Sequence, residues 1–193
     1  MAHSLKPPTR RYTRSQVTVK AALMTAMSGI QENPDAARAE FHAHTQLEED
    51  MRCSAKVREF PPIFVDEPPG LGGSDANANP VERVLVALGT CQEIMYRAYA
   101  SVMGVPLTSV KVKLRGELDL RGLFGMDSGT PPGYEKIVYE TELDSPADSE
   151  TLRKLVQTVE SRCPVLDTLT RPVDVSGSVT INGHPIETEA LAA

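Results

Sequence analysis

Residues 80–103 read PVERVLVALGTCQEIMYRAYASVM and carry the strongest periodic signal in the chain. Apolar side chains recur there at intervals of three and four residues, which is the spacing of one face of an α-helix. Pro80 suits a first helical turn, Asn79 can cap it, and Gly104 and Pro106 end it. The pattern predicts a long buried helix over 80–103, with an apolar stripe of Val84, Leu85, Leu88, Cys91, Met95, Tyr99 and Val102.

Shorter elements precede this helix. Residues 17–31 carry apolar side chains at helical spacing, which predicts a short helix. Two runs between 39 and 60 flank turn residues at 48–50 and predict a β-hairpin. A short strand is expected at 63–65, and the Pro and Gly residues that follow it predict a long functional loop.

Further elements follow the helix. The runs SVKVKLRGELDL and YEKIVYETEL alternate apolar and polar residues, so they predict a second hairpin with a Gly/Pro tip at 121–133. Ser149 can cap an amphipathic helix whose apolar face continues to Cys163. A short helix over 164–169 and a strand over 173–181 complete the order. Hairpins give antiparallel sheets, so the order predicts an α+β fold.

Size and charge limit the class of protein. The chain has 193 residues, 40% of them hydrophobic, which suits one ordinary domain. A net charge of -6 argues against a nucleic-acid partner, and no apolar run approaches the length of a membrane helix. Three cysteines are too few for a disulfide framework. We therefore expect a cytoplasmic protein in a reducing compartment, with no membrane partner.

The start of the chain is basic. Residues 1–31 contain five Lys and Arg residues and no acidic residue. This pattern is typical of a solvated tail, although an organellar transit peptide has a similar composition. We favour a flexible basic tail over 1–15, followed by a single domain over 16–193.

The three cysteines have structural and chemical interpretations. Cys91 lies mid-helix on the apolar stripe, where a buried thiol most often acts as a small hydrophobe. Cys163 can cap the helix that begins at Pro164, where the helix dipole favours a thiolate. Cys53 would share a sheet face with His42 and His44 if the first turn is centred on residues 49 and 50, but a structural role is the better interpretation. The prediction is therefore that no metal or other cofactor is bound.

Several segments together resemble the OsmC/Ohr family of osmotically inducible and organic hydroperoxide resistance proteins. They are PVERVLVALGTC, the upstream DEPPGLGGSDANANP and the late RCPV, with two cysteines 72 residues apart. The segments DLRGLFG and PPGYEKI are similar to an OsmC-like subgroup. The resemblance extends from about residue 39 to residue 178.

The resemblance implies an α+β fold in an intertwined homodimer, with two central helices wrapped by sheets from both chains. It implies a peroxiredoxin-like thiol peroxidase, without metal or haem, that acts on organic hydroperoxides in oxidative-stress defence. Cys91 would be the peroxidatic thiol and Cys163 the resolving thiol, with a lipoyl-type dithiol as the reductant.

One position departs from the family pattern. Typical members carry Glu directly after the Pro that begins this helix, whereas this chain has Val81 there. Glu82 follows one residue later, and nine helical residues place it about 13 Å along the axis from Cys91 and on the opposite side. Arg58 and Glu67 are the substitutes we expect, supplied within the chain or across a dimer interface. The alternative is a non-catalytic member that binds a small apolar ligand.

Overall fold

The computed structural model describes residues 16–186. The predicted basic tail over 1–15 and the last seven residues of the predicted domain lie outside this range. The helices and strands are α1 Gln16–Glu32, β1 His44–Glu49, β2 Arg52–Lys56, β3 Ile63–Val65, α2 Pro80–Met103, β4 Ser109–Leu118, α3 Leu120–Leu123, β5 Tyr134–Asp144, α4 Ser149–Glu160, α5 Pro164–Thr170, β6 Val179–Ile181 and β7 His184–Ile186. Three antiparallel sheets, β1-β2-β3, β4-β5 and β6-β7, confirm the α+β class. No helix within 16–186 is long and apolar enough to cross a membrane.

The central helix α2 has the predicted bounds. The Asn79 side chain accepts a hydrogen bond from the backbone of Glu82, whose carboxylate accepts one from the Asn79 backbone. This reciprocal capping box satisfies two donors that a helix start otherwise leaves open. At the other end, Gly104 adopts φ +71, a left-handed conformation in which glycine has no Cβ penalty.

The most buried face of α2 differs from the predicted stripe. The buried residues follow one another at intervals of four, through Leu88, Gln92, Tyr96 and Ala100, while Cys91 is only half-buried. The buried face of α2 is therefore rotated around the helix axis by about one residue position from the predicted apolar stripe. Hydropathy alone does not indicate a core glutamine, because a glutamine side chain is polar.

The second hairpin covers α2. Gly89 lies so close to β4 that a Cβ there would be 2.6 Å from Leu114 Cδ1. Strand β4 ends at Leu118, two residues before the end of the predicted run, because Asp119 caps the short helix α3 inside the tip. The predicted irregular tip therefore begins with a helical turn.

Helix α4 completes the core. Its cap is Asp148, which accepts from the Thr151 backbone, and not the predicted Ser149. Leu155 and Val159 are fully buried, and they pack with residues of α2 and of the segment after it in one cluster. That cluster consists of Tyr96, Ala100, Val105, Leu107, Leu155 and Val159.

The N-terminal sheet has a different register from the one expected. The turn falls after Glu49, and a bulge follows Leu47, so that Cys53 lies opposite Leu47. His44 pairs with Lys56, which places His44 and Cys53 on opposite faces of the hairpin. The suggestion that Cys53 shares a sheet face with His42 and His44, where the three could bind a metal ion, is therefore wrong.

The N-terminal elements bury little surface within the chain. None of the described residues 16–65 is buried. Large apolar side chains are exposed there, including Phe41 at 90%, with Leu47 and Phe60 also exposed. At the other end of the chain, the predicted strand over 173–181 is short: only Val179–Ile181 is a strand, and it pairs with His184–Ile186.

Candidate active site

Cys91 and Cys163 lie side by side. The Cys163 thiol donates a hydrogen bond to the Cys91 sulfur, and the two sulfur atoms are 3.5 Å apart. Cys91 comes from the middle of α2, whereas Cys163 caps α5 in an extended backbone conformation. Cys163 is completely buried, as the apolar face of α4 predicted. Two thiols separated by 72 residues are therefore in position for a disulfide after a small approach.

The surroundings of Cys91 disfavour its charged form. Burial raises the pKa of the Cys91 thiol, the backbone N–H of Val165 opposes that shift, and Cys163 adds to it. No cationic side chain of residues 16–186 is among the groups that shift this pKa. A thiolate here would need a positive charge from elsewhere, since the thiolate is the nucleophile.

The Tyr139 hydroxyl of β5 lies between α2, which carries Cys91, and the end of α4, which precedes Cys163. The Tyr139 hydroxyl donates to Glu160 Oε1 at 3.3 Å, near the end of α4. Gln92, next to Cys91 in α2, lies near the same hydroxyl and opposes the rise in the pKa of Tyr139. Sequence reasoning missed these three residues. The only available signal was the alternation of β5, which places Tyr139 on the same face as Ile137.

An apolar groove lies between α2, β5 and α5, and its lining includes Leu88, one helical turn before Cys91. Its volume is about 490 Å³, and Tyr139 forms part of its wall. The groove continues to α5, whose N-terminal turn contacts Cys91 through Val165. The apolar part of its lining consists of Val81, Val84, Leu88, Ile137, Leu166 and Leu169.

The loop before α2 is held by Asp66. Its carboxylate accepts hydrogen bonds from the Ser74 hydroxyl at 2.6 Å, from the Ser74 and Ala76 backbones and from the Glu67 backbone. These bonds, the Ser74 hydroxyl first, lower the pKa of Asp66 to about 2. Gly73 passes so close that a Cβ there would be 1.9 Å from the Glu67 carbonyl oxygen. The Pro- and Gly-rich loop is therefore an ordered support for the start of α2.

The two expected activating residues lie apart from the sulfur atoms. Glu67 Oε2 accepts from the Asn79 side chain at 3.3 Å, at the start of α2. Arg58 has φ +49 in an exposed turn and stacks over the Phe60 ring at 4.6 Å. Neither residue is among the groups that shift the Cys91 pKa. Within the described part of the chain, the structure brings together the two cysteines but not Arg58 or Glu67.

The described residues also contain no candidate metal centre. Between residues 16 and 186, no group of three or more His, Cys, Asp or Glu side chains is arranged to hold an ion. Cys53 lies in β2, and all three cysteines are free thiols.

Comparisons with known proteins identify relatives of this chain. A family model described as OsmC-like protein matches residues 72–177, more than half of the chain and including both paired cysteines. No curated protein matches the chain in sequence.

Solved structures share the fold at low sequence identity. An OsmC-like protein from Mycoplasma pneumoniae has a TM-score of 0.59 and 19% identity, over 68% of this chain and 87% of that one. An OsmC-like protein of unknown function from Vibrio cholerae has a TM-score of 0.58 and 14% identity, over 69% and 95%. The organic hydroperoxide resistance protein OsmC from Legionella pneumophila has a TM-score of 0.53 and 16% identity, over 69% and 92%.

Proposed function

The chain belongs to the OsmC-like protein family, and from that membership we propose that it is a thiol-dependent peroxidase that reduces organic hydroperoxides in oxidative-stress defence. One structural neighbour is described as an organic hydroperoxide resistance protein. The observation that carries the proposal is the 3.5 Å separation of the Cys91 and Cys163 sulfur atoms.

The proposed reaction has three balanced steps. The Cys91 thiolate attacks the hydroperoxide, so that an S–O bond forms, the O–O bond breaks, and the alkoxide takes a proton and leaves as the alcohol. Cys163 then attacks the sulfenic sulfur with loss of its proton, and hydroxide leaves as water. A lipoyl-type dithiol finally supplies two electrons and two protons, which restores both thiols and converts the dithiol into its disulfide.

The groove supports an organic substrate. Burial of a hydrocarbon chain against the apolar wall, which begins one helical turn from Cys91 at Leu88, is favourable, and hydrogen peroxide has no such chain. The proposal therefore places the carbon part of the hydroperoxide beside Leu88 and Leu166.

A homodimer would complete the site. The N-terminal elements expose apolar side chains, Phe41 and Leu47 among them, as an association surface does. In the proposal, Arg58 of a second copy lies beside Cys91 and lowers its pKa, while Glu67 orients that cation. The three free cysteines suit a reducing compartment, so the cytoplasm is the proposed location.

A second candidate is a non-catalytic member that binds a small apolar ligand in the same groove. The raised pKa of Cys91 favours it, since a thiol without an activating cation is a poor nucleophile at neutral pH. Val81, in the place of the usual Glu, favours it as well.

The rate of Cys91 alkylation as a function of pH separates the two candidates. The measurement uses the full chain at a concentration at which it is associated, with Cys53→Ser to remove the other accessible thiol. A midpoint below the ordinary value of about 8.5 supports the peroxidase. A midpoint at or above that value, with no consumption of tert-butyl hydroperoxide in the presence of dihydrolipoamide, supports the binding protein.

A further inference from the structure

One hydroxyl group lies between α2, which carries Cys91, and the end of α4, which precedes Cys163. Tyr139 projects from β5, and its hydroxyl donates to Glu160, three residues before Cys163. The side chain of Gln92, the residue after Cys91, lies near enough to this hydroxyl to oppose the rise in the pKa of Tyr139. Tyr139 is therefore bonded to the end of α4 and lies beside the turn of α2 that carries Cys91.

We propose that Tyr139 is a positioning residue that holds Cys163 within reach of Cys91. The proposal rests on the proposed function for its biological meaning, but the geometry it describes exists without any substrate. Tyr139 does not act on the sulfur atoms; it acts through Glu160 and Gln92.

The position of Cys163 makes such a connection necessary. Helix α4 ends at Glu160 and α5 begins at Pro164, so Cys163 lies in a short link between two helices. The hydrogen bonds that Ser161 and Thr158 make in this last turn stay within α4. Glu160 is the residue of that turn whose side chain is bonded to another element. This bond therefore ties the end of α4, just before the link, to β5.

Gln92 supports the same interpretation. It is only 1% exposed, and its Oε1 atom has no hydrogen-bond partner within the described residues. A buried polar atom without a partner destabilises a fold, so packing alone does not explain an amide here. Its place beside the Tyr139 hydroxyl, whose pKa it lowers, gives the amide a role there.

Tyr139 has the protonation state that a hydrogen-bond donor to Glu160 needs. Burial first, and then the Glu160 carboxylate, raise the pKa of Tyr139. The hydroxyl therefore keeps its proton at neutral pH and remains a donor to Glu160.

The test measures how readily the two thiols pair. Full-length protein is equilibrated with reduced and oxidised glutathione, so that two protein thiols and one oxidised glutathione give the Cys91–Cys163 disulfide and two reduced glutathiones. The equilibrium constant is the effective concentration of one thiol towards the other. Tyr139→Phe keeps the ring and should lower this concentration by roughly three- to tenfold, the usual effect of one lost hydrogen bond.

Three further variants make the result decisive. Glu160→Ala, at an exposed position, should lower the effective concentration as Tyr139→Phe does, whereas Glu160→Gln keeps an acceptor and should restore it. Tyr99→Phe removes a hydroxyl from the same core and should leave it unchanged. An unchanged value in Tyr139→Phe or Glu160→Ala, or an equal loss in Tyr99→Phe, overturns the proposal.

A kinetic arm distinguishes this proposal from the proposed function. With tert-butyl hydroperoxide, Glu160→Ala, which leaves the lining of the groove unchanged, should form the Cys91 sulfenic acid at the wild-type rate but convert it into the disulfide more slowly. If the wild-type chain forms no sulfenic acid, the proposed function fails. The glutathione measurement still decides the role of Tyr139, because it uses no hydroperoxide.

Discussion

The backbone N–H of Val165 lies near enough to the sulfur of Cys91 to oppose the rise in the pKa of that thiol. Val165 lies two residues after Cys163, whose thiol donates a hydrogen bond to the same sulfur. Both donors come from the beginning of α5, so any movement of that helix changes two contacts of Cys91 together. The Cys91 sulfur therefore lies against the segment that, in the proposed reaction, would resolve its oxidised form.

Removal of each cysteine should affect a different step. Cys91→Ser should abolish turnover of an organic hydroperoxide with a dithiol, because the attacking sulfur is gone. Cys163→Ser should still consume one equivalent and leave a sulfenic acid that dimedone traps. Cys53→Ser, in β2 opposite Leu47, should keep most of the activity. Equal losses in the Cys53 and Cys91 variants would contradict the assignment.

The chain should associate into a homodimer. Residues 16–65 contain no buried residue, and Phe41 is 90% exposed, so the single chain leaves apolar surface in water. Light scattering at micromolar concentration should give a mass near twice 21.0 kDa. A single species at 21.0 kDa would show that this surface is not an interface between copies.

Arg58 should act across the interface between two copies. Arg58→Ala alone should slow Cys91 oxidation on the order of 100-fold, since it would remove the proposed cation. Mixing Arg58→Ala with Cys91→Ser, and allowing subunits to exchange, should restore about a quarter of the wild-type activity, because half of the dimers then hold one complete site. No recovery would assign Arg58 to its own chain or to no catalytic role.

The Asp66 carboxylate should stabilise the fold in a defined pH range. Its pKa is about 2 in the folded chain and 3.8 in the reference state, so its stabilisation is present above about pH 4 and is lost as the pH falls towards 2. Asp66→Asn should lower the Tm at pH 7, and the difference from the wild type should shrink between pH 4 and pH 2. Asp75→Asn, exposed in the same loop, is the control. A difference that does not change with pH would refute this explanation.

Replacement by alanine should have different effects at two glycines of that loop. Gly73→Ala places a Cβ 1.9 Å from a backbone oxygen, so the loop must move, and we expect a loss of about 1–3 kcal/mol in the free energy of unfolding. Gly70→Ala has open space around its Cβ and should change that free energy by less than about 0.5 kcal/mol. Urea denaturation measures both, and equal effects would argue against the close approach.

Much of the fold could be predicted because its signals are local. Helix α2 has periodic apolar residues, an N-terminal Pro and a C-terminal Gly, and its bounds were predicted correctly. The burial of Cys163 followed from the apolar face of α4. The register of the first hairpin was predicted wrongly, because a bulge after Leu47 shifts the pairing and alternation alone does not locate a bulge.

The site was less predictable because its contacts are distant in sequence. The sequence analysis placed each cysteine on the apolar face of its own helix, and the structure brings the two sulfur atoms to 3.5 Å. No local pattern indicates that Tyr139 reaches Gln92 and Glu160, which are 47 and 21 positions away in the chain. The contacts proposed for Arg58 and Glu67 in a homodimer likewise depend on how two chains associate, which no local sequence pattern indicates.

The separation of the paired cysteines has a topological consequence. A bond between positions 91 and 163 would close a ring of chain that contains the second hairpin and α4. Loop-closure entropy alone would penalise the unfolded form of such a ring by roughly 4 kcal/mol. The oxidised intermediate of the proposed cycle would then be more stable towards unfolding than the reduced protein. Its reductant would do more than recycle thiols: each turnover would reopen the ring and return the chain to its more easily unfolded form.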